Sequence, residues 1–191
     1  MDKIPEQLSY QGIKIVLFGP ESTGKTTLAR SLLSTLDAQY VSEFARNYLQ
    51  KKWNEEQEIC TYTDLIPIIR GQITSENIAI QKKTTLVICD TNPLQYQVYC
   101  RYYFKKDLPE PAYSMLEHQH YDLYLLTGID VPWEKDDLRD RPNPKDRAEL
   151  YATFEQELLQ RNLPFVTVHG NKTQRLKQAM NAIKTLERLA L

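Results

Sequence analysis

The chain has 191 residues, a length that suits a single domain (residues 1–191), and its 41% hydrophobic and 26% charged content is that of a globular protein rather than a collagen-like or disordered one. With 24 basic against 25 acidic residues the net charge is -1, which argues against a protein that coats nucleic acid. Three cysteines, Cys60, Cys89 and Cys100, are too few and too irregularly spaced for a disulfide framework or a zinc ribbon, and read as reduced thiols of a cytoplasmic protein.

The opening residues Met1-Asp2-Lys3-Ile4-Pro5-Glu6 lack the apolar stretch of a secretory signal, and no apolar run approaches the roughly 20 residues of a membrane span. A first strand is predicted over Ile13–Phe18, followed by a helical pattern at Leu28, Leu32, Leu33 and Leu36. A short second strand covers Ala38–Val41, and Leu65, Ile66, Ile69, Ile73 and Ile80 mark a longer helix. The third strand is Leu86–Cys89 and the fourth Tyr121–Leu126. Leu150, Phe154 and Leu158 share a helix face, Phe165–Val168 is the fifth strand, and Leu176, Met180, Ile183 and Ala190 lie on a last helix. The first, third and fourth strands are nearly continuous apolar runs, as in strands buried on both faces of a parallel sheet. Strands alternating with helices imply an α/β fold with crossover helices on both faces. Gly19, Gly128 and Gly170 each lie just past a strand, at the edge where open α/β sheets bind ligands.

The sharpest motif is Gly19-Pro20-Glu21-Ser22-Thr23-Gly24-Lys25-Thr26, which fits G-x-x-x-x-G-K-[ST] between a buried strand and an amphipathic helix. Its glycines let successive backbone N–H groups turn toward phosphates; Lys25 neutralises the β/γ charge, and the Thr26 hydroxyl is a magnesium ligand. ATP and Mg²⁺ are therefore the expected cofactors, bound over Gly19, Glu21, Ser22, Thr23, Gly24, Lys25, Thr26 and Thr27.

A phosphoryl-transfer site needs carboxylates on the same edge. Asp90 follows Leu86-Val87-Ile88-Cys89, where a carboxylate holds a magnesium-bound water or accepts a hydroxyl proton, unless it serves only to cap the next helix. Glu43 closes the second strand in Val41-Ser42-Glu43-Phe44-Ala45-Arg46 and is the other acceptor-side candidate; the alternative is a charge at a helix N-terminus. Residues Ile129–Arg147 hold eleven charges and three prolines among nineteen, which suits an active-site lid or, failing that, a solvated loop. Arg139 and Arg147, with Arg141 between them, are its candidates for stabilising transferred-phosphate charge. Tyr96, Tyr99 and Tyr103 lie at helical spacing and read as a core face, with stacking on a substrate ring the alternative. His118 and His120 at i and i+2 do not form a metal pair, and Asn171 and Arg175 are candidates for bordering the adenine.

In order, Gly19–Thr26, Glu43-x-x-Arg46, Asp90-Thr91, Tyr121-Asp122-Leu123-Tyr124-Leu125-Leu126 and Trp133…Asp136-x-Leu138-Arg139…Arg147 resemble the nicotinamide riboside kinase domain of the bacterial NadR family over nearly the whole chain. The resemblance implies a P-loop kinase fold with a five-stranded parallel sheet in order 2-3-1-4-5, flanked by helices and closed by a lid at about 129–147. It implies ATP-dependent phosphorylation of the 5′-hydroxyl of nicotinamide riboside, with Lys25, Asp90, Glu43, Arg139 and Arg147 catalytic and Glu43, Arg46, Asp90 and Asn92 near the nucleoside. Thr26 and Asp90 are the metal candidates. No nucleic-acid or membrane partner is expected. Two departures stand out: Asn92 replaces a second aspartate after strand three, and Asp137 replaces a lid glycine. The family's full-length members add a DNA-binding region and a nucleotidyltransferase domain, neither expected within 191 residues. Kinases of another nucleoside or small metabolite, and regulatory P-loop ATPases, share the phosphate loop and remain open.

Overall fold

The computed structural model describes residues 3–82, 84–134 and 143–189. Five strands, β1 (Ile13–Phe18), β2 (Gln39–Val41), β3 (Leu86–Asp90), β4 (Leu123–Thr127) and β5 (Phe165–Val168), form one sheet in the order β2-β3-β1-β4-β5, with every pairing parallel. The helices are α1 (Lys25–Leu33), α2 (Phe44–Glu56), α3 (Leu65–Ile80), α4 (Pro93–Phe104), the single turn α5 (Ala112–Met115), α6 (Pro144–Gln160) and α7 (Lys172–Leu189).

The period-2 alternation of the strands divides the core. Ile15 and Leu17 of β1, Leu86 and Ile88 of β3, and Leu123 and Leu125 of β4 pack on Leu28 and Leu32 of α1 and Ala179 and Ile183 of α7. The intervening residues Val16, Phe18, Val87, Cys89, Tyr124 and Leu126 face the other way, onto Ile69 and Ile73 of α3, Leu94 and Val98 of α4, and Leu150 and Phe154 of α6. The helices that follow β1 and β3 therefore lie on opposite faces. A crevice opens between these strands at their carboxyl ends, where doubly wound sheets bind ligands.

The expected strand order holds, while three strand boundaries move and the charged segment after β4 runs into a helix. β2 starts at Gln39 rather than Ala38. β3 runs on to Asp90, because Asp90 stays in register with Leu17. β4 runs from Leu123 to Thr127 rather than from Tyr121 to Leu126. Asp122 ends the approach to β4 by turning its carboxylate onto the Lys14 N–H (2.7 Å). The segment Ile129–Arg147 does not remain a loop to its end. Asn143 caps α6 through Lys145 N (2.9 Å) with Pro144 in the first turn, so Pro144–Arg147 are helical. Residues 135–142, including Arg139 and Arg141, lie outside the described residues.

Candidate active site

The phosphate loop turns immediately after β1. Gly19 has φ +131° and sits so close to β4 that an added Cβ would stand 2.9 Å from the Thr127 hydroxyl, so glycine is required on two counts. Thr23 Oγ1 donates to Pro20 O (2.8 Å) and meets Thr127 Oγ1 (2.6 Å), which ties the loop to β4. Gly24 takes the left-handed conformation (φ 80°) at the start of α1, whose N-terminal dipole faces the crevice. The Lys25 ammonium donates to Gly19 O (2.8 Å) and Pro20 O (2.7 Å), within the loop's curl.

Asp90 comes to the same place from β3. It is 2% exposed, and its Oδ2 accepts hydrogen bonds from Thr26 Oγ1 (2.8 Å) and Tyr40 Oη (2.9 Å). Its Oδ1 is buried and has no hydrogen-bond partner. The cap reading of Asp90 fails, because α4 is capped by Asn92, whose Oδ1 accepts from Gln95 N (3.2 Å). Thr91 between them has φ 87°, a strained value for a β-branched residue, and this turn sends residues 90 and 92 different ways. Burial, and then the Asp90 charge and hydrogen bond, push the Tyr40 phenol well up, so it stays protonated and can only donate to the carboxylate.

Glu43 stands at the N-terminus of α2 without a side-chain capping bond. Its neighbour Phe44 is seated by a space that only glycine leaves, since a Cβ on Gly71 would lie 2.2 Å from the Phe44 ring. The fully buried Gln72 links the two carboxylate-bearing turns, accepting from Phe44 N (3.0 Å) and reaching Thr91 O (3.4 Å).

One cavity of about 1140 Å³ joins these parts. Glu21, Ser22, Thr23, Gly24, Lys25, Thr26 and Thr27 line it together with Asp90, Glu43 and Arg46. Tyr96, Tyr99 and Tyr103 of α4 line it too, and Tyr96 is also part of the buried core. Tyr99 also donates to Glu21 Oε2 (3.2 Å) and packs edge-on against Phe154. Burial pushes Cys60 up to about 12 and Cys100 up to about 11, so these two lining thiols stay protonated and are poor nucleophiles.

Three expected residues, Asn92, Arg147 and Asn171, do not line this cavity, and a fourth, Arg175, lines it with its donors engaged by the backbone. Asn92 is fully buried; besides capping α4 it donates to Tyr124 Oη (3.1 Å) and does not line the cavity. Arg147 sits in the first turn of α6, 8% exposed, and donates to Ser22 O in the phosphate loop and to Val131 O (both 3.3 Å). Asn171 and Gln174 cap α7 reciprocally (2.8 and 3.0 Å). Arg175 reaches the cavity wall, but its guanidinium donates to Thr23 O (2.6 Å), Gly170 O (2.9 Å) and Gly128 O (3.0 Å) and pairs with Asp130. Among the described residues no cluster of His, Cys, Asp and Glu could hold a metal ion, and no helix is long and apolar enough to cross a membrane. Sequence reasoning missed Tyr40 and Gln72; Tyr40 alone left a signal, an aromatic near the carboxyl end of a strand.

A parallel sheet in this order, with a phosphate-loop sequence directly after its first strand, is the P-loop fold. Its residues 14–175 match the family described as AAA domain, and the chain belongs to that family. The trifunctional NAD biosynthesis/regulator protein NadR of Escherichia coli (strain K12) is 25% identical over 154 residues, 81% of this chain and 37% of that protein, so the chain spans little more than a third of this relative. NadR protein solved in complex with NR has a TM-score of 0.69 at 22% identity (91% of this chain, 51% of that one). A NadR protein in complex with NAD and AMP-PNP gives 0.67 at 23% (91% and 49%). Deoxyadenosine kinase from M. mycoides gives 0.60 at 14% identity (91% and 100%). At these identities the structural likeness establishes the fold.

Proposed function

We propose that the chain transfers the γ-phosphoryl group of ATP to the 5′-hydroxyl of nicotinamide riboside, giving ADP and nicotinamide mononucleotide. The observation that carries this reading is the single cavity bounded by the phosphate loop, by Asp90, Glu43 and Arg46, and by the α4 tyrosines. The NadR relatives, one solved with NR and one with AMP-PNP, support the choice of nucleoside and of ATP.

On this reading the residues divide the work as follows. The loop N–H groups, the α1 N-terminus and Lys25 receive the phosphates. The donor set suits Mg²⁺, a hard cation that takes oxygen ligands: Thr26 and Asp90 offer a hydroxyl and a carboxylate, and Asp90 Oδ1 is an oxygen without a protein partner. Thr26 and Asp90 would hold the ion, which when bound would neutralise charge on the β- and γ-phosphates. As O5′ attacks the γ-phosphorus the bond to the ADP oxygen breaks, and the hydroxyl proton passes to Asp90 if its Oδ1 is not taken up by the ion, and to Glu43, the second candidate, if Asp90 serves as the metal anchor. Arg46 meets the nucleoside, and Arg139 and Arg147 are assigned to charge that develops on the transferred group. The α4 rings stack on the base.

Aromatic stacking is tolerant, because every flat base has a π-face, so another nucleoside is the second reading. An assay of ADP release against nicotinamide riboside, cytidine, uridine and deoxyadenosine separates the two. The expected kcat/KM for nicotinamide riboside is at least about tenfold above the others, near 1.4 kcal/mol. Equal use of the four transfers the assignment to a broad nucleoside kinase, and ATP turnover unchanged by any nucleoside points to a regulatory ATPase.

A further inference from the structure

Tyr40 lies on β2 directly across from Ile88, and Asp90 is the next residue on the same face of β3. Its ring packs with the core beneath α1, and the phenol reaches along the diagonal to Asp90. Two hydroxyls, Tyr40 Oη and Thr26 Oγ1, thus converge on one oxygen of a buried carboxylate, while the other oxygen has no partner. A carboxylate held by one donor can still turn about its Cβ–Cγ bond; held by donors from two different elements it cannot. We propose that Tyr40 is a positioning residue, fixing the Asp90 carboxylate so that Oδ2 is committed to the protein and Oδ1 is kept for the reacting groups. This inference rests on the kinase reading above and assigns a role within the same site. A charge-assisted hydrogen bond has the strength for the task, and a misplacement of about 1 Å at a reacting centre is enough to slow the chemistry strongly.

Tyr40→Phe tests this with little risk to the fold, since the ring and its packing remain. Phosphoryl transfer to whichever nucleoside the chain uses should fall about tenfold in kcat, while the KM for ATP and the Kd for AMP-PNP measured by calorimetry stay within about twofold. The decisive measurement is a double-mutant cycle with Asp90→Ala. If Tyr40 acts through Asp90, adding Tyr40→Phe to Asp90→Ala costs less than about twofold. A tenfold loss in both backgrounds, or normal kcat in Tyr40→Phe while Asp90→Ala is impaired, overturns the positioning role and leaves the kinase reading intact. Normal kcat in Asp90→Ala itself overturns the assignment of Asp90, and the role of Tyr40 with it.

Discussion

Replacing Arg175 by methionine should destabilise the chain and loosen its grip on nucleotide together. Arg175 is 4% exposed, and its guanidinium joins three segments by donating to the carbonyls of Thr23 in the phosphate loop, Gly128 after β4 and Gly170 before α7. Hydrogen bonds from a charged donor contribute about 1.5–3 kcal/mol each, and removing one partner of a buried ion pair costs about 3–5 kcal/mol. These figures do not add, and Asp130, whose side chain is 41% exposed, can be rehydrated. The net cost is therefore about 3 kcal/mol, which for a chain of this size lowers Tm by roughly 6–12 °C. Binding weakens for a separate reason. In a trans peptide the carbonyl and the following N–H point opposite ways, so anchoring Thr23 O to Arg175 also sets the direction of the Gly24 N–H. Loss of that orientation should raise the Kd for AMP-PNP about tenfold, the worth of one hydrogen bond to a phosphate. Arg175→Lys keeps the charge but not the fork, and should recover about half of the stability and little of the affinity. Urea unfolding followed by circular dichroism and calorimetry with AMP-PNP check the two effects. A methionine variant with wild-type midpoint and wild-type affinity would show that Arg175 is an ordinary wall residue.

Lys25→Ala should leave the circular dichroism spectrum unchanged and lower kcat/KM at least about a thousandfold, because it removes the charge that meets the β/γ-phosphates. A folded variant with normal turnover would end the phosphate-loop assignment. Asp64 supplies an acid-sensitive tie between α2 and α3. Burial alone would raise its carboxyl, yet the Lys52 ammonium, the Thr61 hydroxyl and N–H, and the Tyr48 phenol outweigh that and hold it at about 2. Because the folded value lies below the ordinary 3.8, the stabilisation is full above that pH and fades as pH falls through about 2. Asp64→Asn should therefore cost roughly 1 kcal/mol at pH 7 after solvent screening, and the difference from wild type in urea midpoint should close at the acid end.

The strands buried on both faces were legible because an apolar run bounded by a glycine turn has few alternatives, and Ile13–Phe18 is found as expected. The phosphate loop was legible for a different reason: its spacing is dictated by the phosphate it must surround. The strand order came from family resemblance, since alternation of strands and helices does not order them in the sheet. Partnerships that depend on that order stayed hidden. Tyr40 and Asp90 are separated by fifty residues and meet only because β2 lies beside β3. The buried pair of Lys14 and Glu76 (3.9 Å), with the ammonium over the Tyr121 ring, was hidden in the same way at the opposite end of β1. Arg175 was noticed in sequence only as a candidate neighbour of adenine, because sequence cannot show that three backbone carbonyls already claim its donors.

The replacement of an aspartate by Asn92 looked in sequence like a loss from the acceptor site. Position 92 belongs to a different task. Its Oδ1 holds the first turn of α4, and its amide donates to a tyrosine on β4, in surroundings with no solvent exposure. An aspartate there could cap the helix equally well, but it would bring a charge into that dry space and could not donate to Tyr124. Asparagine satisfies both neighbours without ionising. The left-handed turn at Thr91 keeps that structural requirement separate from the reacting edge, so charge can be absent at position 92 while it is present at position 90. The acceptor chemistry assigned to this loop therefore rests on Asp90 alone. In Asn92→Asp the expected outcome is a lower unfolding midpoint with kcat changed by less than about threefold, measured by urea titration and steady-state kinetics. A larger change in kcat at unaltered stability would return position 92 to the nucleoside site.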